Sequence, residues 1–90
     1  MEIKHDKEQH KFYLIKDGEE SYIRYKMMDD KTINFIRTFV PPEQRHKGLA
    51  AELAEVALNY AIQNNLSVIP ACSYIESYIN KNNEFKDLVK

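Results

Sequence analysis

From Lys11 to Lys16 the chain reads K-F-Y-L-I-K, and from Glu20 to Met27 it reads E-S-Y-I-R-Y-K-M. In the second run Ile23, Tyr25 and Met27 alternate with Tyr22, Arg24 and Lys26, the two-residue period of a strand with one buried face. Asp17-Gly18 lies between the runs, and both positions tolerate positive φ, which suits a tight hairpin turn. Asp29-Asp30-Lys31 makes a second turn into Thr32 to Val40. There Ile33, Phe35, Arg37 and Phe39 fall on one face and Asn34, Ile36, Thr38 and Val40 on the other. Three antiparallel strands are expected. Residues 1–10 are polar, with Ile3 the one buriable side chain, so no element is predicted there and His5 and His10 read as solvated.

At Lys47 the apolar period becomes helical. From Gly48 to about Asn64, Glu52, Glu55, Asn59 and Gln63 fall in one narrow wedge at 3.6 residues per turn. Leu49, Leu53, Val56 and Tyr60 form the central stripe, with Leu58 and Ile62 nearly opposite, so the helix should be covered on more than one side. Asn64-Asn65 suits a C-terminal stop. Leu66 to Ala71 reads as a buried strand that pairs parallel to the third strand after a right-handed crossover. Pro70 cannot donate to a ladder, so pairing should break there. Ser73-Tyr74-Ile75-Glu76 matches a capping box opening a helix from Tyr74 to about Asn80. The tail is polar, with Phe85, Leu88 and Val89 able to dock. The pattern predicts an α/β fold: a mixed sheet of about four strands, three antiparallel and then a parallel one after a long crossover helix, with a second helix after the last strand.

Ninety residues make one domain, 1–90, near the lower end of what folds on a single core. Thirteen basic against fourteen acidic residues give a net charge of −1, which disfavours a nucleic-acid partner. A single cysteine makes neither an intramolecular disulfide nor a cysteine-cluster zinc site, and His5 and His10 lack metal-ligand spacing with it. No metal is expected. No apolar run reaches membrane-spanning length and the N-terminus is too charged for a signal peptide, so a cytoplasmic protein is the expectation.

The most informative stretch is Val40 to Asn65. Pro41 ends the preceding strand by pushing Val40 into the extended region. The first N–H groups of the following helix lack intrahelical partners and point back toward Arg45, His46 and Lys47. Free N–H groups, the helix dipole and three potentially cationic side chains make an anion site, most naturally for phosphate. Gly48 lets a ligand approach the backbone. The third and fourth strands end at the same edge of the sheet, where ligands of open α/β sheets bind. Cys72 lies at that edge, just before a helix N-terminus, as either a small buried hydrophobe or a reactive thiol. Arg37 reads as a surface cation paired with a carboxylate, or as the holder of a phosphate or an acidic acceptor. Tyr74 and Tyr78 share a face of the second helix and read first as core. Glu76 reads as a capping partner.

Arg45-His46-Lys47-Gly48-Leu49-Ala50 resembles the R/Q-x-x-G-x-G/A signature of the GNAT superfamily of N-acetyltransferases. Thr38-Phe39-Val40-Pro41 before it and Ile69-Pro70-Ala71-Cys72-Ser73-Tyr74 after it look like the small single-domain, minimal GNAT-like proteins. The resemblance covers about residues 10–86. It implies an acetyl-CoA-dependent N-acetyltransferase acting on an unidentified amine; because ninety residues offer little wall for an acceptor pocket, an extended or macromolecular acceptor is expected. The N–H groups of residues 45–50 would hold the pyrophosphate of acetyl-CoA. The strand ends near Val40 and Ala71 would meet the pantetheine arm, with Ser73 beside it and Tyr78 on a face able to line it. Cys72 would stand at the thioester, as acyl acceptor or as proton donor to the CoA thiolate. The alternatives are an acyl-CoA-binding module with little transferase activity and an interaction domain, in either case a monomer or a homodimer. Two positions depart from the minimal relatives. Position 46, commonly glycine there, is histidine, a type enriched at positive φ. Position 37, a histidine there, is Arg37, which cannot act as a base at physiological pH.

Overall fold

Asp17 and Gly18 take φ values of 53° and 78°, the left-handed pair that closes a two-residue hairpin. Around that turn, Lys11–Lys16 (β2) pairs antiparallel with Glu19–Asp29 (β3), which pairs antiparallel with Thr32–Phe39 (β4). The computed structural model describes residues 2–89. It adds a strand that the sequence pattern did not show: Lys4–Asp6 (β1) pairs antiparallel with β2. The sheet therefore has five strands, not about four, in the order β1-β2-β3-β4-β5, with Ser67–Ile69 (β5) parallel to β4. Three residues are too short a run for a two-residue period to declare itself.

What holds β1 is His5, which is not the solvated side chain expected. Its ring stacks on Phe12 at 4.1 Å and meets the edge of Tyr60 at 4.6 Å, while Nε2 lies 2.6 Å from the Tyr25 hydroxyl. Burial, helped by the Lys7 charge, lowers the His5 pKa; burial, with Tyr60 and Asp6 beside it, pushes Tyr25 up to about 12. Both shifts keep the pair neutral, which suits a Tyr25 hydroxyl donating to the imidazole nitrogen.

Helix α1 (Leu49–Gln63) crosses from β4 to β5 and packs on β2, β3 and β4. Its buried residues are Leu49, Leu53, Ala54, Ala57, Leu58 and Ala61, so the alanines let it sit close to the sheet. Of the expected central stripe Leu49 and Leu53 are buried but Val56 is exposed, and of the two residues expected nearly opposite Leu58 is buried and Ile62 exposed. Asn65, at φ 56°, ends the helix in the left-handed conformation. Helix α2 (Ser73–Lys81) buries Ile75 and Ile79, and Phe85 docks from the 3-10 turn Asn83–Leu88. The expected capping box does not form. Cys72, in extended conformation, is the N-cap, and no side chain caps the helix. Ser73 is thus already helical, and the Glu76 N–H donates to the Cys72 carbonyl.

Both helices lie on one face of the sheet. On β4 that face changes midway. A register shift separates Arg24↔Arg37 from Tyr25↔Phe35, leaving Ile36 as an extra residue. Ile33 and Phe35 are buried, but beyond the bulge Thr38, opposite Ile23, takes over the helix side. Arg37 and Phe39 fall on the open face with Tyr22 and Arg24, not with Ile33 and Phe35 as simple alternation predicts.

Two outcomes follow. Leu53→Ala should destabilise the fold by about 2–5 kcal/mol, read by denaturant unfolding, because its side chain is fully buried. With the folded-state pKa of His5 depressed, the unfolded chain binds the proton more readily. Stability should therefore be full above the ordinary imidazole value of 6.5 and decline as pH falls through the lower folded pKa. In His5→Gln that portion of the acid-side decline should vanish from unfolding midpoints measured between pH 7 and pH 5.

Candidate functional site

β4 and β5 pair over Thr32↔Ser67, Ile33↔Val68 and Asn34↔Ile69, and there the parallel ladder stops. Pro70 supplies no N–H, and the next contact is the Cys72 N–H donating to the Phe35 carbonyl at 2.8 Å. Past that point β4 runs on, without a partner on its β5 side among the described residues, toward the loop that enters α1. A cleft opens at this strand end.

The loop begins with Pro41 and Pro42, and Pro42–Gln44 forms one 3-10 turn. Arg45 Nε donates to the Val40 carbonyl at 2.9 Å, closing the loop on its own entrance. His46 and Gly48 both take left-handed conformations, with φ of 67° and 79°. These two reversals aim the start of α1 back at the end of β4. The first intrahelical acceptor is the Gly48 carbonyl, met by the Glu52 N–H at 3.1 Å, and among the described residues no backbone carbonyl accepts from the N–H groups of Leu49, Ala50 or Ala51.

A cavity of about 430 Å³ lies in front of these groups, lined by Thr38 to Val40, Gln44 to His46, Gly48 to Ala51 and Tyr74. Of the residues singled out from sequence, Val40, Arg45, His46, Gly48, Leu49 and Ala50 line it; Lys47, Cys72, Ser73, Tyr78 and Arg37 do not. Lys47 and Ser73 are exposed at the mouth of the loop and the start of α2. Cys72 is buried behind the wall, its sulfur 3.3 Å from the Thr38 hydroxyl. Tyr78 turns toward Phe85, with ring centroids 6.0 Å apart. Arg37 is on the opposite face of the sheet, and its expected carboxylate is missing: among the described residues the ion pair found is Lys11–Glu20.

Five wall residues were not among those expected at the site: Thr38, Phe39, Gln44, Ala51 and Tyr74. Thr38 reaches the cavity because of the Ile36 bulge, which alternation cannot reveal. Gln44 is 3% exposed, its Nε2 donating a long 3.4 Å bond to the Lys16 carbonyl and its Oε1 without a partner. A glutamine in a charged loop carries no sequence sign of burial. Tyr74, expected as core, is half-buried on the cavity wall, and burial raises its pKa above the ordinary tyrosine value of 10. It stays protonated at neutral pH and offers an O–H.

The arrangement can hold an anion by backbone N–H groups at a helix start. Beside that anion it presents an apolar and hydroxyl-bearing channel, formed by Thr38, Val40 and Tyr74. A Cβ built on Gly48 meets no atom within 4 Å, so the glycine is required by its φ and not by space. Gly48→Ala should cost about 1–2 kcal/mol in denaturant unfolding, and Gly48→Asn less. His46→Gly should instead leave the loop unstrained and raise stability by a fraction of that.

The profile of the GCN5-related N-acetyl-transferase family matches residues 11–88. Protein NATD1 of Xenopus tropicalis is 26% identical over 84 residues, covering 91% of this chain and 77% of that protein. NATD1 of Homo sapiens is 25% identical over the same length, covering 74% of its own chain. The solution structure of a GCN5-like protein from Staphylococcus aureus superimposes with a TM-score of 0.78 at 28% identity, over 99% of this chain and 87% of that one. With the matched segment spanning the cavity, its loop and both helices, the chain belongs to the GCN5-related N-acetyltransferase family.

Proposed function

We propose that this protein is an acetyl-CoA-dependent N-acetyltransferase. The observation that carries the reading is the set of free N–H groups at Leu49 to Ala51, facing a cavity between the loop and the end of β4 in a chain of this family. The residues suit the ligand. A pyrophosphate would meet those N–H groups and the positive end of α1, with Arg45, His46 and Lys47 around it. The extended arm would lie along β4 past Val40 and Thr38, where the strand has backbone groups without a ladder partner.

Bound there, acetyl-CoA supplies an activated thioester: the amine nitrogen bonds to the acetyl carbon, the carbon–sulfur bond breaks, and the amine's proton ends on the CoA sulfur. Tyr74, a hydroxyl on the wall beside Thr38, would give its proton to that sulfur and regain one from the proton the amine releases, so that it ends as it began. Cys72 supports the site through Thr38, its sulfur fixed against the hydroxyl that lines the channel. No carboxylate is among the lining residues, so the acceptor amine reaches the site already neutral. With the one lining imidazole, His46, assigned to the pyrophosphate, the lack of a carboxylate at the thioester end favours the second reading, an acyl-CoA-binding module with slow or no transfer.

An amide-resolved NMR titration with acetyl-CoA, and separately with CoA, tests the cofactor. Saturable shifts are expected at Val40, Arg45 to Ala51 and Ala71 to Ser73, and none at millimolar ligand would exclude both readings. Turnover on a panel of polyamines, lysine peptides and amino acids separates them. For the enzyme, Tyr74→Phe should lower kcat by about 10–100-fold while leaving the acetyl-CoA shifts in place. Cys72→Ala should lower it less, by disturbing Thr38, and kcat/KM should rise with pH toward the acceptor's own pKa.

A further inference from the structure

On the open face of the sheet, Asp6, Lys11, Arg24 and Arg37 stand directly opposite one another across β1 to β4. Lys11 has a partner, with Nζ 2.7 Å from a Glu20 carboxylate oxygen. Arg24 and Arg37 have none among the described residues, although they are a register pair, and like charges directly opposite destabilise a sheet. The chain keeps this repulsive pair on its most central strands. The two guanidiniums are also organised. Arg24 lies over the Tyr22 ring at 5.4 Å and Arg37 over the Phe39 ring at 5.8 Å, while Tyr22 and Phe39 are themselves a register pair with centroids 5.5 Å apart. Because β3 and β4 are antiparallel, both side chains lean the same way, toward the carboxyl end of β4.

That end is where the sheet is open. Beyond the Cys72–Phe35 contact no residue among those described pairs with β4 on its β5 side, so the cavity face and the open face meet at the same unpaired strand end. Thr38 looks into the cavity and its neighbour Arg37 looks out, with Phe39 at the boundary, lining the cavity mouth while its ring meets Arg37 and Tyr22. A thioester held from the cavity side would present its carbonyl to a partner arriving over Arg24 and Arg37. Ile36 and Ile69, exposed on the open face, give the approach an apolar rim.

We propose that Arg24 and Arg37, braced on Tyr22 and Phe39, recognise an oxyanion carried by the amine acceptor, so that the substrate class is an amine bearing a carboxylate or phosphate. The term acceptor rests on the acetyl-transfer reading; the anion site itself does not. Two guanidiniums on directly opposite residues, each over a ring of the neighbouring register pair, suit a group with several oxygens, which would also relieve their mutual repulsion. The overall charge of −1 offers no general attraction for anions, so recognition falls to this local pair.

The test is an NMR titration of the whole chain, without acetyl-CoA, using acetyl-Glu-Lys-Glu-amide, acetyl-Gln-Lys-Gln-amide and phosphoethanolamine. Saturable shifts at Tyr22 to Arg24 and Arg37 to Phe39 are expected with an anionic probe and not with the glutamine peptide. A response to the first probe alone assigns a carboxylate, and to the last alone a phosphate. Arg24→Gln and Arg37→Gln should each abolish the shifts, with Arg37→Lys weakening them as the fork is lost. In turnover, the ratio of kcat/KM for the glutamate over the glutamine peptide should be about tenfold or more and fall toward one in Arg37→Gln. Equal shifts with the neutral peptide, or none with either anion, overturn the proposal. Anion shifts in a chain that fails to bind acetyl-CoA would leave the anion site standing and remove the transferase reading.

Discussion

The parallel contact between β4 and β5 is three residues long, and the position at which it stops governs the rest of the site. A parallel ladder continues wherever both strands offer N–H and carbonyl groups in step. Here Pro70 withholds the donor, Cys72 makes one last bond to Phe35, and the chain turns into α2. β4 runs on for four more residues beyond Phe35, through Phe39, with one side bare. Everything that could bind an extended ligand, from Thr38 to the loop before α1, is placed by that difference in length.

The bulge at Ile36 is the second constraint. One extra residue on β4 exchanges the two faces of the strand beyond it. Without it, Arg37 and Phe39 would be driven under the helices, and Thr38 would stand on the open face. With it, a hydroxyl meets Cys72 and the cavity, while a cation and an aromatic ring meet solvent. The same backbone irregularity thus builds both sides of the cleft, a neutral hydroxyl-lined wall within and a cationic surface without.

The sequence was legible where period and turn chemistry are strong. The Asp17-Gly18 hairpin, the strands around it, the long crossover helix and the glycine at its start lie where the pattern places them, and the loop motif pointed to the family that the comparisons show. The failures have separate physical causes. β1 is held by a histidine packed among aromatic rings, a tertiary contact with no local signature. Ser73 lost its capping role because the extended Cys72 took the position before it. The wall residues Thr38 and Gln44 depend on a bulge and on a buried amide, and neither changes the hydrophobic pattern. Sequence reading located the loop; only three-dimensional register could tell which neighbouring residues face it.

His46 gives the loop a property that the motif alone does not convey. It holds a left-handed backbone angle, one that glycine would adopt without strain. A glycine would let the free loop wander among many shapes, each of which must be abandoned when an anion docks. An imidazole-bearing residue at the same angle is strained locally but far poorer in alternatives. Ordering before contact lowers the entropy lost on contact, so if the loop holds the proposed pyrophosphate, it exchanges some stability of the empty protein for readiness to bind.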